Sequence, residues 1–229
     1  AIWYDREAKT YERKNRQMLG RTHFFIGTAA ALAVLQPQTV PALVTGAGAA
    51  AIGGLISDID VGTSQAHRDA DKIITATVAV AVLTILAEYK LNLGIYRRLT
   101  SDSSVLRLLA GTAAFLLICA YGKQQPHRSF MHSFAALALL TACVDIIYPD
   151  ASAYFAVGFL SHLVLDFFNR KPEKLFWPWK KGFCLGFCSA RGLVNRALLG
   201  CGMVSLAVVL VLSAPAGRLM AKIMRAIYG

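Results

Sequence analysis

Five histidines and a few aspartates are the residues in this chain best suited to chemistry. They fall in four short stretches: His23 in RTHFF; Asp58, Asp60 and His67 in SDIDVGTSQAHRD; His127 and His132 in PHRSFMHSF; and His162 and Asp166 in GFLSHLVLDFF. These are all 5 His, and the chain has 13 Asp+Glu among 229 residues that are 56% hydrophobic. Each histidine stands at or near the end of an apolar segment, close to other polar groups. Polar groups placed against hydrocarbon are costly unless they are paired or ligated. Gathering a metal ion is the leading reason for such a distribution.

Spacing sorts the candidates. His162 and Asp166 are four apart, so on a helix they share one face and can meet the same cation; the alternative is a polar pair on an interhelical contact. Asp58 and Asp60 would point about 200° apart on a helix, so both reach one site only where the chain leaves the helix. Gly62 and Thr63 permit that exit. Otherwise the pair is an Asp-rich helix end that opposes the dipole. His127 and His132, five apart, cannot share a helical face, but a loop position for the first and a first-turn position for the second would turn both inward. His127 alone is an unremarkable loop histidine, and His23, opening a helix after Thr22, also admits a structural role. His67 is as readily an exposed loop residue as a ligand.

Imidazole and carboxylate ligands favour Zn2+, with Mn2+ or Fe2+ admissible. The candidates outnumber the needs of one tetrahedral ion, so two or three ions are expected. Such a centre activates water and clamps the oxygens of a phosphate or carbonyl. Asp58 or Asp60 would orient or deprotonate the water. Arg128 would meet negative charge on a phosphoryl oxygen, and Lys180 and Lys181 would hold an anionic headgroup unless they are plain loop charges.

These groups need a scaffold, and the composition says which kind. With 16% charged residues and a mean hydropathy of +0.50, the chain reads as one all-α, polytopic membrane bundle. The net charge of +11 would suggest nucleic acid in a soluble protein. In a membrane protein it reflects basic loops and anionic headgroups, so no nucleic-acid partner is expected. A basic, helix-like arm at 1–22 precedes the membrane domain at 23–213, and a basic amphipathic tail occupies 214–229. The polar opening does not read as a secretory signal. Cys119, Cys143 and Cys201 lie in apolar runs as small buried hydrophobes, while Cys184 and Cys188 could pair or bind metal, although packing is the plainer reading.

Apolar segments run at 23–36, 41–57, 73–89, 105–121, 130–148, 153–168 and 197–213. The first two are short for a full crossing, which needs about 20 residues. TGAGAAAIGG in the second is rich in small residues that let helices approach closely. If all the segments cross, His23, Asp58, Asp60, His127, His132, His162 and Asp166 fall on one side. Seventeen of the 24 Lys+Arg fall on that side too, which makes the site face cytoplasmic by the positive-inside rule. Residues 169–196 form a long polar excursion with Trp177, Trp179 and seven basic residues.

RTHFFIGTAAA, ISDID, HRSFMHS and GFLSHLVLD followed by LFWPWKKGFCLG, in that order, resemble the YdjM-like family over roughly residues 20–200. That family is described as LexA-binding, inner-membrane-associated, metal-dependent hydrolases. Ser57, Val61, Ser129 and Met131 replace the family's Pro, His, Gly and Thr. Val61 removes a ligand position that His67 would have to supply. The family is distantly similar to the all-α zinc phospholipase C and single-strand nuclease superfamily, whose trinuclear sites cleave phosphate esters. The resemblance implies a bacterial inner-membrane hydrolase acting on a phospholipid or lipid-linked phosphate. Two other readings stand beside it: a non-catalytic scaffold or regulator-binding protein with a structural metal, and a transporter, which the one-sided site disfavours. Self-association is compatible with either of the first two.

Overall fold

The computed structural model describes residues 20–60, 90, 94, 105–187 and 193–228. Among the described residues every extended element is helical: α1 Gly20–Leu35, α2 Val40–Ile56, α3 Val105–Gln124, α4 Phe134–Ile147, α5 Pro149–Phe167, α6 Leu193–Leu212 and α7 Ala214–Tyr228. Two 3₁₀ turns, Ser57–Asp60 and Phe130–His132, extend α2 and precede α4. The all-α expectation therefore holds. The arm at 1–19, the segment at 73–89, His67 and Cys188 lie outside the described residues.

Local chemistry sets the helix ends. Thr39 caps α2, its hydroxyl accepting from Ala42 N at 3.3 Å, and a proline lies in the first turn. Ser133 caps α4 in the same way through Ala136 N at 3.2 Å. The YPDAS stretch, expected to separate two segments, is instead the opening of α5, because Pro149 at the first helical position needs no amide partner. Likewise α6 starts at Leu193, four residues before the expected segment.

The central pair of helices is α2 and α5. A Cβ on Gly53 would run into the Phe155 carbonyl, and one on Gly158 into the Ala50 carbonyl, so only hydrogen lets these backbones meet. On the other side, α1 packs on both and on α6, while α4 packs on α5 and carries α3. One apolar cluster of Ile56, Phe130, Met131, Leu140, Phe155, Phe159 and Leu163 fills the α2–α4–α5 interior. A second, around Ala31, Leu32, Ala50 and Tyr154, joins α1, α2 and α5.

Two described helical stretches are long and apolar enough to cross a membrane by themselves, Val40–Asp60 and Leu193–Leu212. The first had looked short at 41–57; the 3₁₀ turn lengthens it to 21 residues. α1 and α4, with 16 and 14 residues, are shorter than a crossing requires. Large apolar side chains nevertheless face outward on α3, α4, α5 and α6, among them Leu117, Leu139, Val164 and Val211. Cys119 and Cys143 are buried as expected, but Cys201 is exposed.

Candidate metal centre

Four elements deliver the site to one end of the bundle. His23 comes from the first turn of α1, Asp58 and Asp60 from the turn that ends α2, His127 and His132 from the stretch before α4, and His162 and Asp166 from the last turns of α5. The small residues explain the convergence: a Cβ on Gly54 would lie 3.0 Å from the His23 carbonyl, so α1 and α2 touch beside the first ligand. The 3₁₀ geometry breaks the α-helical spacing at Asp58 and Asp60 and brings both carboxylates near the imidazoles.

Three overlapping trios could each hold a metal ion: His23, Asp58 and His162; Asp58, His127 and His132; and His132, His162 and Asp166, with one ligand atom per residue and all atoms of a trio within 4.8 Å of one another. The rings are closely arranged, His23 stacking on His162 at 3.9 Å between centroids. Nε2 of His162 faces Nε2 of His132 at 3.4 Å. Nδ1 of His162 lies 2.8 Å from the Gly54 carbonyl, which can only accept; that nitrogen therefore carries the proton and Nε2 offers its lone pair to the cluster. Oδ1 of Asp58 lies 3.8 Å from His132 Nε2 and 3.7 Å from His162 Nε2.

Asp60 is arranged differently. It belongs to none of the trios, and its oxygens meet His127 Nδ1 at 2.7 Å, the Arg128 amide at 3.2 Å and His132 Nδ1 at 3.5 Å. It thereby orients two imidazoles from behind. Asp58, whose side chain is 21% exposed, faces the ligands.

Electrostatics fit a cation here. Asp58, Asp60 and Asp166 converge with one guanidinium among them, so the cluster has an excess of negative charge. The buried atoms Asp166 Oδ1 and His23 Nδ1 have no hydrogen-bond partner. A donor set of nitrogen and carboxylate oxygen with a demand for positive charge is one that could hold a metal ion.

Arg128 is turned inward. Nη2 donates to Asp166 Oδ2 at 2.6 Å, Nη1 donates to the Lys171 carbonyl, and the residue is buried with φ 63°. A non-glycine residue in this left-handed region is strained, and the bonds at its amide and guanidinium hold it there. Lys180 and Lys181 are exposed on the loop that follows α5.

Sequence reasoning missed several buried polar residues, Glu173 and Asn195 among them. Glu173 is fully buried, both its oxygens lack a hydrogen-bond partner, and burial pushes its carboxyl up to about 8, with His132 and Arg128 opposing and Asp166 and Asp58 adding to the rise. Its signal was positional: it is the sole acidic residue after Asp166. Asn195 in α6 accepts from the Thr22 hydroxyl at 2.9 Å, tying α6 to the start of α1 beside His23. An asparagine near the start of an apolar helix was the available sign.

The loop at 169–187 folds over this end. Lys174 N donates to the Arg128 carbonyl, Phe134 N to Leu175 O, Leu185 N to Phe167 O and Gly186 N to Asn169 O, while Glu173 and Phe183 exchange both backbone bonds. Trp177 packs on Phe130 at 5.2 Å between centroids.

No curated protein and no solved structure matches the chain. The sequence model of one family, the YdjM inner membrane protein family, matches residues 18–227. The chain belongs to that family, which places it at the bacterial inner membrane.

Proposed function

We propose that this member of the YdjM inner membrane protein family is a multi-pass, metal-dependent hydrolase of a lipid-linked phosphate ester, with its site at the cytoplasmic face. The observation that carries the reading is the meeting of four histidines and three aspartates from four separate elements at one end of an apolar bundle. His23, His127, His132, His162, Asp58 and Asp166 would hold the ions. A bound divalent ion supplies Lewis acidity, lowering the pKa of a water and drawing charge from a phosphoryl oxygen.

The chain's own residues do the rest. Asp58, partly open to solvent, would orient that water and accept its proton through the carboxylate oxygen that does not hold an ion. Asp60 holds His127 and His132 in orientation, and Arg128 holds Asp166. The apolar packing around the site limits water and strengthens each charge interaction. The charge excess of the flanking loops supports a cytoplasmic position for this face.

A structural metal is the competing reading, favoured by one observation: His23, His132, His162 and Asp166 are almost wholly buried. Metal analysis of purified protein, with a headgroup-release screen over a lipid panel, separates the two. Under the hydrolase reading, wild type carries stoichiometric metal and releases phosphate or headgroup, while His162→Ala stays folded and is inactive. Metal near zero in active protein defeats both readings. Metal without turnover, with His162→Ala unfolded, leaves the scaffold.

A further inference from the structure

The excursion between α5 and α6 would by default be a water-facing loop, and its surface is wrong for one. Phe176 and Trp179 are 48% and 70% exposed, and Phe187 is 73% exposed. Phe176 and Trp179 are not scattered. Phe134 meets Phe176 at 5.5 Å between centroids, Phe176 meets Trp179 at 6.2 Å and Phe183 at 5.7 Å, and Lys181 Nζ lies 5.7 Å from the Phe183 ring centre. The result is one continuous aromatic patch with a cation at its edge. A groove lined by Phe134, Ala135, Leu175, Phe176, Trp177, Pro178 and Trp179 runs along it.

The patch is also held in place. The paired bonds between Glu173 and Phe183, and those from Leu185 to Phe167 and from Gly186 to Asn169, fix the loop against the end of α5. Phe134 begins the patch two residues after His132, and its amide bonds to Leu175. Arg170, Lys180 and Lys181 are exposed on the same loop. Exposed aromatic rings mixed with lysine and arginine have the composition of a membrane interface, where ring faces lie among headgroups and cations meet anionic lipid.

We propose that residues 169–187 form a membrane-docking element. Its Phe134–Phe176–Trp179 patch lies in the interfacial layer of the leaflet on the site side, with an acyl chain along the groove and Lys180 and Lys181 on anionic headgroups. This rests on the bundle being embedded in a bilayer, as proposed above, and does not depend on hydrolysis. It gives the loop a second role, setting the membrane surface beside the metal centre so that a lipid of that leaflet is the ligand presented to it.

The test uses the full chain in nanodiscs of zwitterionic lipid, with or without anionic phosphatidylglycerol. A protein carrying Trp3→Phe and Trp177→Phe reports from Trp179 alone; should that variant fail to fold, the difference between wild type and Trp179→Phe isolates the same signal. Lipids brominated near the headgroup should quench most of the Trp179 emission. Bromine near the chain terminus should quench less, and aqueous iodide little. Anionic lipid should strengthen the shallow quenching, and the Lys180→Ser, Lys181→Ser double variant should remove that increment. Emission quenched by iodide and untouched by brominated lipid overturns the proposal, and marks the loop as water-facing and open to a soluble partner. Turnover measured on the same samples keeps the two proposals apart. Quenching without hydrolysis refutes the catalytic reading alone, and hydrolysis without quenching refutes the docking element alone.

Discussion

At the scale of single residues, the site is a set of acids and imidazoles whose roles differ because their surroundings differ. Asp58 and Asp60 are two apart, yet one faces the ligand trios and the other lies behind two histidines. Metal stoichiometry should therefore fall sharply in Asp58→Asn, whereas Asp60→Asn should first weaken affinity, by about 10–100-fold, through loss of histidine orientation. Metal titration of the two purified variants checks the order. Arg128 makes a different kind of contribution. Its removal leaves the Asp166 carboxylate buried without its cation, so Arg128→Ala should cost about 3 kcal/mol or more, read as a drop in thermal midpoint.

Glu173 adds a pH dependence with a definite sign. The unfolded chain releases this proton near the ordinary 4.5 and the folded chain near 8. Between those values the folded state holds the extra proton, so stability falls as pH rises and levels off above about 8. Glu173→Gln removes the carboxyl. In metal-stripped protein it should melt with wild type near the lower end of this window and above it at the upper end. Equal midpoints at both ends would show that Glu173 does not titrate this way.

At the scale of elements, the site depends on helices meeting backbone to backbone. Gly158 faces the Ala50 carbonyl and Gly53 the Phe155 carbonyl, positions where neither neighbour can yield by turning a side chain. Gly158→Val should push α5 from α2, costing about 1–3 kcal/mol, and should lower metal content with it, since Asp58 and His162 ride on those two helices. Gly200 on α6 has open space around it, and Gly200→Ala should be neutral or should stabilise by up to about 1 kcal/mol. Melting curves and metal analysis of the pair separate a packing effect from a general intolerance of substitution. The loop at 169–187 belongs to this scale as well, because its backbone bonds to the Arg128 carbonyl and to Phe134 join it to the strip that carries His127 and His132.

At the scale of the whole molecule, the ends of α1, α2, α4 and α5 that carry the candidate ligands lie together. The same arrangement makes a statement about orientation. Cys184 is exposed on the loop beside the site and Cys201 is exposed on the outward face of α6. In a Cys188→Ser background, a membrane-impermeant maleimide should label Cys184 from the cytoplasmic side, and Cys201, surrounded by lipid, should resist it from either side. Labelling of Cys184 from the periplasmic side alone would reverse the topology drawn from the charge asymmetry.

Much of this was determined by the sequence itself. Helical class follows from apolar runs of helix length, and the set of candidate ligands follows from the scarcity of His and Asp and their placement at segment ends. The His162–Asp166 spacing is a local property of one helix, so it was legible without a fold. Tertiary structure alone decided the rest. It divided the roles of Asp58 and Asp60, turned Arg128 inward to Asp166, buried Glu173 within the most basic stretch of the chain, and laid the aromatic loop over the end of the bundle. Each of these depends on backbone surfaces that meet from well-separated parts of the chain, Arg128 and Asp166 being 38 residues apart and Asp60 and His127 67. Periodicity and spacing report the preferences of one segment. Burial, charge balance and exposure are set by its neighbours.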